Sequence, residues 1–317
     1  MRVGRSAVPL VGMCLWLLVW ASSAIGAAPT WDELRAYYAY DATTAPEATV
    51  VSTETRGQFA VENIVFTSVN GQVVPLTLCK PRGVEKPPVI LALHGLGGDG
   101  KSFATQIEGF IAAKGIAVAA IDAQYHGGRK VEGKDIFSGD LPTTVEAFRQ
   151  TIIDNRRALD YMVTRADLNT EVPVLIGASM GGIMGSVVSG LDDRIKQTLL
   201  IVGGGDLVGL FTQSKHPAAE KVRAALNDSE AARRALEMVE PTNFVGHISP
   251  RPLLMVNGRD DKIIPQACAE ALYAAAKDPK QIVWYDGGMM DGHVPPLSVL
   301  FTELKGFLQG AGVGKWQ

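Results

Sequence analysis

The sequence contains few of the residues and patterns that build metal centres or nucleic-acid surfaces. It has 3 cysteines and 5 histidines among 317 residues, and no two histidines have the spacing of a ligand motif such as His-Glu-x-x-His. Its 30 basic and 33 acidic residues nearly balance, and no basic stripe interleaved with aromatic residues occurs. We therefore expect no metal, no cofactor and no nucleic-acid partner.

No apolar run is long enough to cross a membrane comfortably. The run over residues 7–20 follows Arg2 and Arg5 and is itself followed by small residues. This pattern predicts a secretory signal peptide over residues 1–26, with cleavage after Gly26 or two residues earlier. We therefore expect a secreted or periplasmic protein with no stable membrane anchor.

No internal repeat and no low-complexity linker divides the rest of the chain, so its length and composition indicate one large domain. The polar residues 27–60 predict an extended N-terminal arm, and the domain itself is expected over residues 61–317. Export would permit a disulfide between Cys79 and Cys268. Two cysteines in a chain of this size are, however, more typical of buried, independent thiols.

The most informative motif is Gly177-Ala178-Ser179-Met180-Gly181, which directly follows the apolar run 172–176. A buried strand that leads into Gly-x-Ser-x-Gly and then into a helix is typical of a nucleophile elbow. The serine of such an elbow has a strained backbone, and the flanking glycines let neighbouring chain segments pass close to it. Ser179 is therefore the candidate nucleophile.

An acid and a histidine follow Ser179, each in a loop after its own predicted strand. Asp260 and Asp261 come after the strand 252–257, and His293 comes after the strand 281–285. A serine hydroxyl must lose its proton as it attacks, a histidine can take that proton, and a carboxylate can orient the histidine. Asp206, after another predicted strand, is a further candidate for the acid.

In its motif order Ser179, acid, His293, the chain resembles α/β-hydrolase-fold serine esterases over about residues 61–309. It is most similar to secreted bacterial carboxylesterases of the dienelactone-hydrolase and acetylesterase type, although true dienelactone hydrolases carry a cysteine at the elbow. The family pattern Gly-x-x-Asp-x-x-x-Pro, counted from Gly258, favours Asp261 over Asp260. The resemblance therefore implies a catalytic triad of Ser179, Asp261 and His293.

The segment His94-Gly95-Leu96-Gly97-Gly98, after the strand 88–93, resembles the oxyanion loop of the same family. The resemblance implies that the amides of Leu96 and Met180 form the oxyanion hole. It also implies structural roles for His94 and His126, which belong to loops of that family. His216 and His247 lie in polar stretches that contain proline, and we expect them at the surface.

A competing motif overlaps this loop, because residues 95–102 also fit the phosphate-binding pattern Gly-x-x-x-x-Gly-Lys-Ser. A nucleotide-binding function would leave Ser179, Asp261 and His293 as coincidences at three strand ends. Asn70-Gly71, between apolar runs, predicts instead the antiparallel hairpin that opens a hydrolase sheet. We therefore interpret the match as a chance feature of a glycine-rich turn.

The predicted fold class is α/β. Apolar runs alternate with amphipathic helices and predict an α/β-hydrolase fold: a mainly parallel sheet with an N-terminal antiparallel hairpin and helices on both faces. Helices are predicted over residues 102–114, 143–164, 182–190, 266–277 and 296–309. Residues 206–247 predict a small helical lid. The candidates for substrate binding in this lid are Leu207, Leu210 and Phe211.

These features together predict a serine carboxylesterase that acts through an acyl-enzyme on a small-molecule or polymer-borne ester. A serine peptidase of the prolyl-oligopeptidase type is an alternative, although no propeller domain is evident. A non-catalytic binding module is a further alternative, but such a module would normally lack one of the motif residues. The sequence leaves the natural ester and the oligomeric state open.

Overall fold

The structure, a computed structural model, describes residues 28–111, 114–226 and 230–315. The predicted signal peptide over residues 1–26 lies outside these ranges and stays a prediction. In the described ranges the strands form one mixed sheet of nine strands. In chain order they are β1 (Ala48–Arg56), β2 (Phe59–Thr67), β3 (Val73–Pro81), β4 (Pro88–Leu93), β5 (Ala117–Ile121), β6 (Asn169–Ala178), β7 (Gln197–Ile201), β8 (Leu253–Gly258) and β9 (Lys280–Tyr285).

The strand order across the sheet is β1-β2-β3-β5-β4-β6-β7-β8-β9. The first three strands and the β3–β5 pair are antiparallel, and every later pair is parallel. The predicted hairpin is β2–β3, which turns at Asn70 and Gly71, both with positive φ. The prediction of a mainly parallel sheet with an antiparallel start is confirmed.

Helices cover both faces of the sheet. Those of the described residues are α1 (Trp31–Tyr37), α2 (Gly100–Ile111), α3 (Leu141–Val163), α4 (Met180–Leu191), α5 (Leu207–Gln213), α6 (Pro217–Ala225), α7 (Glu230–Glu237), α8 (Gln266–Ala275) and α9 (Leu297–Gly310). The five helices that the sequence predicts correspond to α2, α3, α4, α8 and α9. Helices α5 to α7 occupy the predicted lid segment. Within the described ranges, no helix is both long enough and apolar enough to span a bilayer.

Successive residues of a strand point to opposite faces of the sheet, so each inner strand contributes to two apolar layers. Strand β4 shows this directly: Val89, Leu91 and Leu93 pack in one layer, whereas Ile90 and Ala92 pack in the other. The first layer includes buried side chains of α3, α4 and α8, and the second includes those of α2 and α9. Two buried layers explain why the inner strands are almost continuously apolar.

The two cysteines belong to these different layers, on opposite faces of the sheet. Cys79, on β3, lies in the layer with α2 and α9, and Cys268, on α8, lies in the other. Both are buried and free, and burial raises the pKa of each thiol to about 12. The prediction of independent, buried thiols is therefore confirmed.

The N-terminal segment corrects the prediction of an extended arm over residues 27–60. Helix α1 begins with a capping box between Thr30 and Glu33, and β1 pairs with β2 as an edge strand of the sheet. The sheet therefore starts at Ala48. An edge strand is held by backbone hydrogen bonds to one neighbour while its side chains stay exposed, so it needs no apolar alternation that a sequence would reveal.

Helix α1 also explains the position of His247, which the sequence places at the surface. The ring of Trp31 stacks on the His247 ring with centroids 3.5 Å apart. The hydroxyl of the buried Tyr38 donates to the carbonyl oxygen of Met238 at 3.1 Å. His247 is therefore half-buried under the N-terminal helix, because the helix covers the end of the lid segment.

Candidate active site

Ser179 lies at the junction of β6 and α4, in the backbone conformation that its motif predicts. Its φ is 54° and its ψ is −118°, a combination that costs a non-glycine residue on the order of 1–3 kcal/mol. The turn holds because the Ser179 amide donates to the carbonyl oxygen of Ile201 at 2.9 Å. Gly181 is required beside it, since a Cβ there would lie 2.0 Å from the carbonyl oxygen of Leu93.

Asp261 lies in the loop after β8 and is 4% exposed. Its Oδ1 accepts hydrogen bonds from the amides of Ile263 and Ile264 at 2.8 and 2.9 Å. These two bonds fix the carboxylate and leave Oδ2 to accept a bond from the Nδ1 of His293, 2.8 Å away.

The two alternative acids lie elsewhere. Asp260 is exposed to solvent. Asp206 is the N-cap of α5, where its Oδ1 accepts from the amide of Gly209 at 3.0 Å. Of the three candidate carboxylates, Asp261 is the one hydrogen-bonded to His293.

His293 is hydrogen-bonded to both Asp261 and Ser179. Its Nε2 lies 2.9 Å from the Oγ of Ser179, and the residue as a whole is 7% exposed. The loop that carries it turns at Gly292, with a φ of +82°, where a Cβ would lie 2.7 Å from the backbone of Asp260. Ser179, His293 and Asp261 therefore form one chain of hydrogen bonds from the serine hydroxyl to the buried carboxylate.

Tyr285, the last residue of β9, braces the histidine loop, and no motif of the sequence points to it. Its hydroxyl lies 2.9 Å from the carbonyl oxygen of Gly292 and 3.0 Å from that of His293, and donates to this pair. Burial first, and then the charge of Asp261, raise the pKa of Tyr285, so the hydroxyl stays a donor. The apolar run that ends in Tyr285 signals only a strand.

The glycine-rich loop after β4 passes beside the serine. A Cβ on Gly95 would lie 3.4 Å from the Cβ of Ser179. Among the described residues, the amide of Leu96 donates to no acceptor of the protein. Met180 is the first residue of α4, a position whose amide has no intrahelical acceptor. The assignment of these two amides to an oxyanion hole stays a prediction.

His94 and His126 hold this loop from behind, which confirms the structural roles expected for them. The Nδ1 of His94 donates to the carbonyl oxygen of Gly95 at 2.8 Å, and its Nε2 accepts from the amide of Ala123 at 3.1 Å. The Nε2 of His126 accepts from the amide of Gly97 at 3.2 Å. Burial, more than any other cause, lowers the pKa of His94, so its ring is held neutral.

The hydrogen bonds of this loop also show whether residues 95–102, which fit the phosphate-binding pattern, can bind a phosphate. Four amides of the segment donate within the protein: Gly97 to His126, Gly98 to the carbonyl oxygen of Gly95, Gly100 to Asp122 and Ser102 to Asp99. The Nζ of Lys101 lies 3.0 Å from the Oε1 of Glu54 on β1. Amides that already donate to protein acceptors cannot cradle a phosphate, so the match is a chance feature of the turn.

Two cavities meet at Ser179 and His293. The larger, of about 330 Å³, lies between α2 and α9; we call it the α2–α9 cavity. The smaller, of about 100 Å³, lies under α5 and α6; we call it the lid cavity. Leu96, Ser179 and His293 are the lining residues that the two share. Both walls are mainly apolar. The α2–α9 cavity includes Phe103, Ile107, Phe110, Leu300 and Leu304; the lid cavity includes Phe137, Ile183, Leu210, Phe211 and Ile264.

The lid residues proposed from the sequence divide into two groups. Leu210 and Phe211 line the lid cavity, whereas Leu207 is 1% exposed, packs in the core and lines neither cavity. The assignment of Leu207 to substrate binding is therefore corrected. Leu207 is the first residue of α5, its amide donates to Glu240 at 2.7 Å, and its side chain packs in the core.

His216 also corrects its prediction, because it borders the lid cavity instead of lying free at the surface. It caps α6, with its Nδ1 accepting from the amide of Ala218 at 3.1 Å. A histidine before proline in a polar stretch gives no hint of this position. The fold of the lid brings it there, since the amide of Lys215 donates to the carbonyl oxygen of Lys262 at 2.8 Å and so ties the lid to the loop of Asp261.

Comparison with known proteins agrees with this geometry. The family model described as "Serine hydrolase (FSH1)" matches residues 84–303, which contain Ser179, Asp261 and His293. The chain belongs to the FSH1 serine hydrolase family. The resemblance to serine hydrolases that the sequence indicates is thereby confirmed.

Individual relatives of this hydrolase carry names of the same enzyme class. It is 36% identical over 172 residues to YtaP of Bacillus subtilis (strain 168), whose name assigns it provisionally to the hydrolases. It is 27% identical over 161 residues to the esterase YjfP of Escherichia coli (strain K12). The matches cover 48% and 49% of this chain, and they span 57% and 61% of the respective relatives. The chain thus spans less than two thirds of either relative.

A solved structure supports the fold over nearly the whole hydrolase. The acetyl xylan esterase from Paenibacillus sp. R4 superposes with a TM-score of 0.72 at 18% identity, covering 88% of this chain and 92% of that one. At this identity the likeness concerns the fold alone. It confirms the α/β-hydrolase architecture expected from the sequence.

Proposed function

We propose that this hydrolase cleaves carboxylic esters through an acyl-enzyme, with Ser179, His293 and Asp261 as its catalytic triad. The observation that carries the proposal is the unbroken hydrogen-bond chain from the Ser179 hydroxyl through His293 to Asp261, which opens into two apolar cavities. The family match and the esterase among the relatives support the same reaction class.

In the acylation step, the Ser179 Oγ attacks the ester carbonyl carbon while the Nε2 of His293 takes the hydroxyl proton. The imidazolium that forms is stabilised by Asp261, which stays charged and keeps the ring orientation fixed. The C–O bond to the alcohol then breaks, and His293 returns the proton to the departing alkoxide. The products of this step are a free alcohol and a Ser179 ester.

The amides of Leu96 and Met180 stabilise the oxyanion of each tetrahedral intermediate in this proposal. In deacylation, water gives a proton to His293 and attacks the acyl carbon, and the Ser179 oxygen leaves with that proton. The carboxylic acid is released and the serine hydroxyl is restored. Every proton passes through the Nε2 of His293, which is the atom that faces Ser179.

The shape of the site supports esters with an apolar group. The α2–α9 cavity holds about 330 Å³, whereas a cavity of about 150 Å³ accommodates one benzene molecule. An aromatic or medium-length alkyl group therefore fits on that side of the ester bond. The lid cavity, of about 100 Å³, accepts a smaller group.

The deciding experiment compares the wild-type protein with Ser179→Ala on p-nitrophenyl esters from acetate to palmitate. We expect the substitution to reduce turnover to background while the circular dichroism spectrum stays unchanged, since the nucleophile is lost without a change in packing. Ser298→Ala, on the exposed surface of α9, is the matched control and should retain full activity.

Turnover by Ser179→Ala at the wild-type rate would refute the triad. A folded wild-type protein that cleaves peptide p-nitroanilides but none of the esters would assign it to the peptidases. Absence of turnover on both classes would favour a binding function.

A further inference from the structure

The lid cavity contains a polar group that the triad does not use. Its wall is mainly apolar, yet His216 borders it together with Ser179 and His293. A polar side chain in a small apolar cavity beside the reacting atoms is well placed to select substrates.

The hydrogen bonding of His216 fixes its tautomer. Its Nδ1 accepts the amide proton of Ala218 at 3.1 Å, so Nδ1 carries no proton of its own. The neutral ring must then carry its proton on Nε2. Burial first, and then the neighbouring His293, lower the pKa of His216 and favour this neutral form. His216 is therefore a neutral donor with one N–H group.

The protein does not use this donor itself. Among the described residues, the hydrogen bonds of His216 are made by its backbone amide and its Nδ1, and none is made by its Nε2. The nearby Ser214 hydroxyl oxygen accepts from the backbone amide of His216 at 3.2 Å instead. The Ser179 hydroxyl and the His293 Nε2 are hydrogen-bonded to each other. The Nε2–H group is thus free to donate to a molecule in the cavity.

We propose that His216 is a specificity-determining residue whose Nε2–H donates a hydrogen bond to the substrate. The acceptor is an additional oxygen atom in whichever part of the ester, acyl or alcohol, enters the lid cavity. This inference rests on the proposed ester hydrolysis. The substrate class it specifies is an ester with an ether, hydroxyl or second carbonyl oxygen close to the scissile bond. A purely hydrocarbon group of the same size leaves the donor unpaired, which disfavours its binding.

Two pairs of matched esters test the inference. In each pair an ether oxygen replaces one CH₂ group, so shape is nearly constant. The first pair, p-nitrophenyl methoxyacetate and p-nitrophenyl butyrate, places the oxygen in the acyl group. The second pair, 2-methoxyethyl acetate and butyl acetate, places it in the alcohol. The quantity measured is the ratio of kcat/KM for the oxygen-containing ester to that for its partner.

Two variants separate donation to substrate from capping of α6. In His216→Asn, the short amide can still accept from the Ala218 amide, because Asn is a good N-cap, but it lacks the reach of Nε2. In His216→Gln, the amide nitrogen lies near the original Nε2, but the cap is lost. We expect His216→Asn to lower the ratio by about 3- to 10-fold in one pair, with an unchanged Tm. We expect His216→Gln to keep most of the ratio and to lower the Tm.

The outcomes distinguish the inference from the function on which it rests. If the wild-type protein hydrolyses none of the four esters, the proposed function fails. If it hydrolyses them and His216→Asn leaves both ratios unchanged, the inference alone is overturned. Equal losses for the oxygen-containing and hydrocarbon esters, in step with the Tm, would also overturn it, because they would show a capping role only.

Discussion

At the residue scale, the positions of the proposed nucleophile and base depend on side chains outside the proposed triad. Tyr285 is the clearest case, because its hydroxyl bonds the backbone on both sides of the Gly292–His293 peptide. Asp261 orients the His293 ring, but Tyr285 holds the loop from which that ring projects. Small displacements of a catalytic group are known to be costly. The tyrosine is therefore a positioning residue.

We expect Tyr285→Phe to lower kcat by about 10- to 100-fold while KM changes little, because the histidine loop relaxes but the cavities remain. The loss of a buried hydroxyl that serves two carbonyl groups should also lower the free energy of unfolding by about 1–3 kcal/mol. Steady-state kinetics and urea denaturation measure the two effects. Tyr273→Phe, on α8, is the matched control. Wild-type kcat in Tyr285→Phe would show that the hydroxyl does not position the histidine.

A second prediction at the residue scale concerns His94, which makes the stability of the folded protein depend on pH. Its ring is neutral in the folded protein because burial lowers its pKa and its Nε2 accepts from the Ala123 amide. The unfolded chain binds a proton at this histidine below a pH of about 6.5, whereas the folded protein binds it only at lower pH. The contribution of His94 to stability is thus complete above pH 6.5 or so and declines as the pH falls through the folded pKa.

Urea denaturation between pH 8 and pH 5 measures this contribution. We expect the free energy of unfolding of the wild-type protein to fall toward pH 5. We expect that of His94→Gln to fall less steeply, since the variant has no titratable side chain at position 94. At pH 8 the variant should be less stable, because it loses one of the two hydrogen bonds of the ring. Parallel pH profiles of the two proteins would contradict the assignment.

At the element scale, α2 and α9 form the walls of the larger cavity, and they decide how large a group can enter. Leu300 of α9 is half-buried and lines this cavity, whereas Leu297, one turn earlier, is 56% exposed and does not. The same substitution at the two positions therefore separates cavity volume from any general effect on the helix.

We expect Leu300→Trp to reduce kcat/KM for p-nitrophenyl octanoate by about tenfold relative to acetate, because the indole fills space that the longer chain needs. Leu297→Trp should leave the ratio of octanoate to acetate unchanged. Initial rates across the ester series measure both ratios. An unchanged ratio in Leu300→Trp would mean that the alkyl chain lies elsewhere.

The elements also show what the sequence could and could not predict. Inner strands such as β4 are buried on both faces, so their composition alone identifies them. Strand β1 is exposed along its length and has no such pattern. The positions of Ser179 and His293 at strand ends were predictable because each follows an apolar strand, whereas the family pattern counted from Gly258 separated Asp261 from Asp260. His216 was not predictable, because its place beside His293 depends on how the lid packs against the loop of Asp261.

At the scale of the whole molecule, the residues that hold the proposed triad and the residues that form the cavity walls come from different parts of the fold. The sheet, its two apolar layers and the loops braced by His94, His126 and Tyr285 hold the reacting atoms. The cavity walls come from different parts of the chain: α2 and α9 on one side, and the lid segment on the other. The proposed triad and most of the cavity walls thus belong to different parts of the fold.

The two cavities share only Leu96, Ser179 and His293 among their lining residues. Mutations on one side can therefore change the preference for one half of the ester and leave the other half, and the chemistry, untouched. In the proposed function, a change of preference for one half of the ester would then need no change in the wall that holds the other half. For protein engineering, it means that libraries built separately in the lid and in α9 should combine additively.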